Sequence, residues 1–251
     1  IEHGDLLLFY QPAISLKTRR IIGVEALIRW KHPTRGMIPP DQFILSAEKT
    51  GLIHPLTRFV MATAMRQCKA WRDAGMELAV SVNLSARNLV DPKLPDQVAE
   101  QFQAAQVAPG WLTFEITESV IMANPAQALE VLTRLHEMGV RFSIDDFGTG
   151  YSSLSYLKRL PVETIKIDKS FVINMTKNQS DSVIVRSTID LAHNMNLKVV
   201  AEGVEDKDIW DRLYALGCDT AQGYYMGRPM PANELSRWLH ESSWGLEKAS
   251  M

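Results

Sequence analysis

The sequence is poor in cysteine. Only Cys68 and Cys218 occur, and no Cys-x-x-Cys pair is present, so neither a disulfide framework nor a thiolate zinc site is expected. A reducing, cytoplasmic setting fits that scarcity, and a membrane tether in a longer parent chain is compatible with it. No apolar run approaches the roughly 20 residues of a bilayer-spanning helix. Neither sign of charge dominates: 27 Lys and Arg stand against 29 Asp and Glu, for a net charge of −2. That balance argues against a general DNA-binding or membrane-surface protein. The 6 histidines show no paired ligand spacing, and none stands at the end of an expected strand. The chain starts Ile1-Glu2-His3-Gly4-Asp5, with neither an initiator methionine nor a signal peptide. We expect a single domain over residues 1–251, excised from a longer multidomain signalling protein.

What is present is ample apolar material, 46% of 251 residues, distributed in alternating patterns from end to end. Strands are expected at Leu6–Tyr10, Ile21–Leu27, Leu78–Asn83, Leu112–Ile116, Val140–Ile144, Thr164–Ile167 and Leu197–Val200, with a weaker one ending near Gln222. Most are continuous Val, Ile and Leu runs, as in strands buried on both faces of a parallel sheet. Between them lie helices. One starts at Pro125 with Asn124 as its cap and ends at Gly139. Another runs Ser180–Met195 with Val183, Ile184, Ser187, Leu191 and Met195 facing one way. Pro55–Ala74 and Lys207–Leu216 each end before a glycine. Alternation at this length is the pattern of an α/β (β/α)₈ TIM-like barrel. A doubly wound open sheet is the alternative, weakened by the absence of Gly-x-Gly-x-x-Gly after the first strand.

Polar residues recur where the apolar runs end: Glu25, Asn83, Glu115, Asp145-Asp146, Lys166, Glu202 and Gln222. In a barrel those ends converge on the face that carries active sites. Glu25, Glu115, Asp145, Asp146 and Glu202 would then share one cavity with Lys166. Two like charges about 4 Å apart repel by about 4 kcal/mol at an effective dielectric near 20. Such a group must be partly protonated or must bind cations, and oxygen ligands without histidine select Mg²⁺ or Mn²⁺. The adjacent pair Asp145 and Asp146 could serve two ions, an arrangement suited to phosphoryl transfer. Taken singly, each residue has a plainer role: a helix cap, a turn before Gly148 and Gly150, a surface lysine. The coincidence across seven strand ends carries the reading.

The run Val24-Glu25-Ala26-Leu27-Ile28-Arg29-Trp30 resembles the signature of the EAL-domain cyclic-di-GMP phosphodiesterases. So do Tyr10-Gln11-Pro12, Val82-Asn83-Leu84-Ser85, Glu115-Ile116-Thr117-Glu118 and Ile165-Lys166-Ile167-Asp168. Asp145-Asp146-Phe147-Gly148-Thr149-Gly150-Tyr151-Ser152-Ser153-Leu154, Ala201-Glu202-Gly203-Val204-Glu205 and Gln222-Gly223-Tyr224 complete an ordered series over nearly the whole chain. The resemblance implies a barrel whose first strand is antiparallel, and hydrolysis of cyclic di-GMP to linear 5′-pGpG with two Mg²⁺ or Mn²⁺ ions. It implies Glu25, Asn83, Glu115 and Asp145 as ligands of one metal, and Asp145 and Asp146 serving the second. Glu202 and, through water, Gln222 complete the metal site. Glu25 and Lys166 are the implied catalytic residues, the lysine at the nucleophilic water, with Glu205 supporting them. Gln11, Leu27, Arg29 and Asp168 are placed at the substrate, Arg29 on a phosphate, and Arg228 and Pro229 at a guanine. Glu118 is the implied anchor of the loop after the Asp pair, which in the family couples dimerisation to metal binding, so a homodimer is expected. Two other classes stay open at this point: a domain that only binds cyclic di-GMP, and a barrel hydrolase or lyase for another small phosphorylated substrate.

Overall fold

The structure is a computed structural model that describes residues 4–118, 121, 124–150 and 154–246. Its sheet contains β1 (Leu6–Ser15), β2 (Ile21–His32), β3 (Gly36–Ile38), β4 (Ala79–Asn83) and β5 (Leu112–Thr117). It continues with β6 (Arg141–Phe147), β7 (Thr164–Ile167), β8 (Lys198–Ala201), β9 (Thr220–Gln222) and β10 (Met230–Pro231). Pairing of β1 with both β9 and β2 closes an eight-stranded barrel in the order β1-β9-β8-β7-β6-β5-β4-β2, with β3 and β10 appended outside it. Every barrel pair is parallel except those of β1, which runs antiparallel to β2 and to β9. The barrel and its antiparallel first strand are therefore as expected, and the open sheet is excluded.

Side chains alternate along each strand. One set, including Val80, Val82, Phe114, Phe142, Ile144, Ile165 and Ile167, is fully buried. The helices cover the barrel's outside. Helix Ile53–Asp73 buries Met61, Ala64, Met65, Cys68 and Trp71, and the Trp71 ring meets Tyr10 of β1 edge-on at 4.9 Å. The other set on each strand carries the polar residues toward the axis, so period two separates core from site. Among the described residues no helix is long and apolar enough to cross a membrane.

Several local expectations are corrected. β1 and β2 extend to Ser15 and His32, because their antiparallel pairing continues beyond the apolar runs. Asn124 occupies the cap position of helix Pro125–Glu137 but makes no capping hydrogen bond; its amide donates to Gln127 instead. Gly139 does take the left-handed conformation, at φ 92°. The helix near Ser180 runs Gln179–Asn194, capped by Asn178, and buries Val185, Thr188, Ile189 and Ala192. The expected stripe is not its most buried face: Val183 is 56% exposed and Ser187 is exposed, while Leu191 and Met195 pack only against the edge of the core. The two stripes are close in apolarity, and only contact with the sheet decides between them.

Gly223, directly after β9, lets two loops meet. A Cβ there would lie 2.1 Å from the Val204 carbonyl oxygen and 2.3 Å from its nitrogen. Val204 N–H donates to Gln222, and Tyr225 N–H to Val204, so neither backbone can withdraw freely. Gly223→Ala is expected to cost about 1–3 kcal/mol, the scale of overpacking. Chemical denaturation checks this; an unchanged midpoint would show the loops to be separable.

Candidate active site

At the C-terminal ends of the parallel strands, Lys166 from β7 sits among carboxylates. Its Nζ lies 2.6 Å from Glu115 Oε2, 2.6 Å from Glu202 Oε1, 3.3 Å from Asp145 Oδ1 and 3.5 Å from Glu25 Oε2. The lysine is only 2% exposed. Burial opposes its charge, yet Glu115, Glu202, Glu25 and Asp145 together outweigh that and hold the amine protonated well above the usual lysine range.

Glu25 is the hub of a second network. Asn83 Nδ2 donates to Glu25 Oε1 at 2.7 Å, and Gln222 Nε2 donates to Glu25 Oε2 at 2.6 Å. Gln11, opposite Glu25 on β1, accepts from Gln222 at 3.3 Å and donates to the Gly227 carbonyl at 3.3 Å. Burial pushes the Glu25 carboxyl up, but Lys166 and these amides prevail and hold it below the ordinary range. Glu115 goes the other way: burial, with Glu25 and Asp145 nearby, raises it well above normal despite Lys166.

Asp145 still pairs with Thr117 of β5, but on the β7 side the ladder breaks at Asp145 and Asp146. The β6–β7 register shifts between Ile144 and Phe147, and Asp146 has the left-handed φ of 53°, rare for a residue with a side chain. Asp145 shares the face of Ser143, two residues before it, and the kink at Asp146 brings the second carboxylate beside it. Oxygens of Asp145, Asp146 and Glu202 lie within 4.8 Å of one another. Burial, then Asp145 and Asp168, push Asp146 up to about 6. Burial also raises Glu202, to about 7, with Lys166 opposing and Asp145 adding. A compact set of carboxylate oxygens that resists ionisation by itself fits a hard divalent cation, which would remove that resistance.

A cavity of about 380 Å³ opens above the cluster, lined by Gln11, Glu25, Leu27, Asp145, Glu202, Glu205, Gln222 and Tyr224 among others. Glu205 lies in this wall, exposed. Asp168 caps the short helix Lys169–Val172 through Ser170 N–H and stands beside Asp146. Arg29 is half-buried, donates to the Ile28 carbonyl at 2.9 Å and lies within electrostatic reach of Glu25 and Asp41. Arg228 stacks on the exposed Tyr224 ring at 4.1 Å, with Pro229 next in the chain. Tyr224, although inside a quoted motif, was not expected to line the cavity; its place directly after Gln222-Gly223 was the available signal. Both Glu118 oxygens are buried without a hydrogen-bond partner among the described residues, and Oε1 lies 3.1 Å from where a Gly150 Cβ would be. Tyr151, Ser152 and Ser153 of the expected loop lie outside the described residues.

The raised carboxyls carry a linkage with a definite sign. Asp146 and Glu202 move from 3.8 and 4.5 to about 6 and about 7 on folding, so the metal-free fold holds their protons more tightly than the unfolded chain does. Their contribution to stability is present at low pH and is lost as pH rises through roughly 4 to 7. A divalent cation competes for the same oxygens. Mn²⁺ at about 100 times its dissociation constant should therefore stabilise by about 2.7 kcal/mol at pH about 8, and by much less at about 5. Thermal melts with Mn²⁺ and with EDTA test this; equal gains at both pH values would dissociate the cation from these groups.

The EAL domain profile matches residues 1–229. The bifunctional diguanylate cyclase/cyclic di-GMP phosphodiesterase MucR of Pseudomonas aeruginosa is 44% identical over 236 residues, 94% of this chain and 34% of MucR. The cyclic di-GMP phosphodiesterase NbdA of the same organism is 43% identical over 240 residues, 95% of this chain and 31% of NbdA. The chain thus spans about a third of the length of these curated relatives. A structure of the MucR phosphodiesterase in complex with c-di-GMP superposes with a TM-score of 0.90, at 44% identity, covering 93% of this chain and 95% of that one. The FimX EAL domain of Pseudomonas aeruginosa bound to c-di-GMP gives 0.83 at 27% identity, over 91% and 92% of the two chains. Matched in sequence over most of its length and in fold over almost all of it, the chain belongs to the EAL domain family.

Proposed function

We propose that this chain hydrolyses one phosphodiester bond of cyclic di-GMP, giving linear 5′-pGpG, with two Mg²⁺ or Mn²⁺ ions. The observation that carries the reading is the buried Lys166 amine among Glu25, Glu115, Asp145 and Glu202 at the C-terminal mouth of the barrel. The substrate class is supported by the relatives whose names and complexes specify cyclic di-GMP.

In this reading Glu25, Asn83, Glu115 and Asp145 would hold one ion, and Asp146, with Asp145 and Glu202 near it, would serve the other, Gln222 contributing through water. Bound ions would supply a hydroxide-like water at neutral pH and offset charge on the phosphoryl oxygens. The chain's own residues do the rest. Lys166 is locked in its protonated form, so its Nζ is a donor and not a base. It orients the attacking water and neutralises phosphoryl charge. Asn83 and Gln222 fix the Glu25 carboxylate, so that it does not need to reorganise during the reaction. Arg29 holds a phosphate, and Gln11, Leu27 and Asp168 face the nucleotide. Arg228 and Pro229 border a guanine, while Glu205 supports the acidic cluster. The water oxygen bonds to phosphorus, one P–O bond to a ribose 3′ oxygen breaks, and that oxygen takes up the proton.

Glu118, packed against Gly150, serves as the loop anchor in the proposed homodimer. Sensory domains elsewhere in a longer, cytoplasmic or membrane-tethered chain would supply the input, and lowering a second messenger would be the output. The test is incubation with cyclic di-GMP and Mg²⁺ or Mn²⁺, followed by nucleotide chromatography, with EDTA as control. Metal-dependent pGpG supports the reading. Tight binding without product would reduce the domain to a receptor.

A further inference from the structure

Two residues before five of the cluster's polar groups stands a small hydroxyl residue. The pairs are Ser81 and Asn83, Thr113 and Glu115, Ser143 and Asp145, Thr164 and Lys166, Thr220 and Gln222. Residues two apart on a strand share a face, so the hydroxyls form a layer beneath the cluster. Pairing sets Ser81 level with Thr113 on one side and Glu25 on the other, and Ser143 level with Thr164 and Glu115, so the stagger of the barrel strands interleaves the hydroxyls with the lower edge of the cluster.

The interior of an eight-stranded barrel is ordinarily filled by branched apolar side chains. Here the hydroxyl layer borders a second cavity of about 280 Å³. Its lining runs from exposed Arg141, Glu163 and Lys198 at the N-terminal end of the barrel to buried Glu115 and Lys166. Ser143 is 3% exposed, and its Oγ has no hydrogen-bond partner among the described residues. A buried unpaired hydroxyl costs about 1–3 kcal/mol. A roomy cavity with several polar walls takes ordered water, whereas an apolar one stays dry.

We propose that the lower half of the barrel is a hydrated pore, in which a file of water seated on the Ser143 hydroxyl reaches the catalytic cluster from the N-terminal end. Its use rests on the hydrolytic reading. A nucleotide seated in the upper cavity covers that mouth, and every turnover consumes a water. The pore supplies it from the opposite side, between Arg141, Glu163 and Lys198.

Lys198→Cys puts an accessible thiol at the rim, while Cys68 and Cys218 are both buried, so the unsubstituted chain controls for labelling elsewhere. A bulky methanethiosulfonate adduct at that cysteine should lower kcat at least about fivefold with KM unchanged; a methyl adduct should not, and reductant should restore the rate. An unchanged kcat at complete bulky modification overturns the supply role. Crystals of the Mn²⁺-loaded chain should show ordered water from the rim to Ser143 Oγ, broken in Ser143→Val. A dry or closed interior overturns the pore itself. Absence of pGpG from the unlabelled chain would instead remove the hydrolytic reading, leaving the crystallographic water to decide the pore.

Discussion

Glu25→Ala should abolish turnover of cyclic di-GMP. The carboxylate is held from three strands at once, by Asn83 of β4, Gln222 of β9 and Lys166 of β7. Removing it deletes a proposed metal ligand and leaves the buried Gln222 amide, the more exposed Asn83 amide and a buried ammonium short of an acceptor. Even a residue one bond removed from a metal changes affinity by about 10- to 100-fold, so loss of a direct ligand should cost at least that in Mn²⁺ binding. Titration calorimetry with Mn²⁺ and product chromatography separate the two effects. The substitution should also destabilise the metal-free fold at neutral pH. The Glu25 pKa is depressed on folding, so its stabilisation is present above the unfolded value and is lost as pH falls through the folded one. Near-normal turnover would remove the two-metal scheme, and Asp146→Asn should repeat the loss of activity from the other end of the cluster.

Lys166→Met should separate chemistry from binding. The thioether chain fills similar space without charge, so kcat should fall by at least about 100-fold, the lower range for removing a positioned proton or charge donor, while KM changes little. An equal loss in substrate affinity would make the lysine a binding residue only. The metal-free variant should lose about 3–5 kcal/mol at neutral pH, because breaking a buried ion pair leaves its partners uncompensated. Four carboxylates then face one another within reach of the former amine position. Mn²⁺ should return more stability to the variant than to the parent chain, since the ion would replace the missing positive charge. A variant melting like the parent without metal would show the cluster already protonated.

Gly223→Ala and the pH-dependent gain from Mn²⁺ probe the same site from its backbone and from its linkage to protons. Together the four outcomes distinguish a metal-dependent catalytic cluster from a polar barrel plug.

Much of this was legible in the one-dimensional pattern. The apolar runs set the strands, their number and spacing set the barrel, and the polar residues ending those runs named the cluster. Ser143 and the other hydroxyls were equally readable by period two, but nothing in a lone serine distinguishes a barrel interior from a surface. The direction of β1 rested on resemblance, because its alternation reads alike in either orientation. The stripe of helix Gln179–Asn194 was misassigned because Val183 and Val185 are equally apolar, and only the neighbouring sheet selects one.

By itself, then, the sequence determined which residue types meet at the strand ends, because alternation and run length are local and each strand carries its own. Only the tertiary structure decided their ionisation. Glu25 and Glu115 are both buried strand glutamates near Lys166, yet one is driven down and the other up. The difference lies in their partners: Gln222, Asn83 and Glu115 join Lys166 in favouring charge on Glu25, whereas Glu25 and Asp145 oppose it on Glu115. That is a through-space field set by partners from distant segments, and no local pattern encodes it.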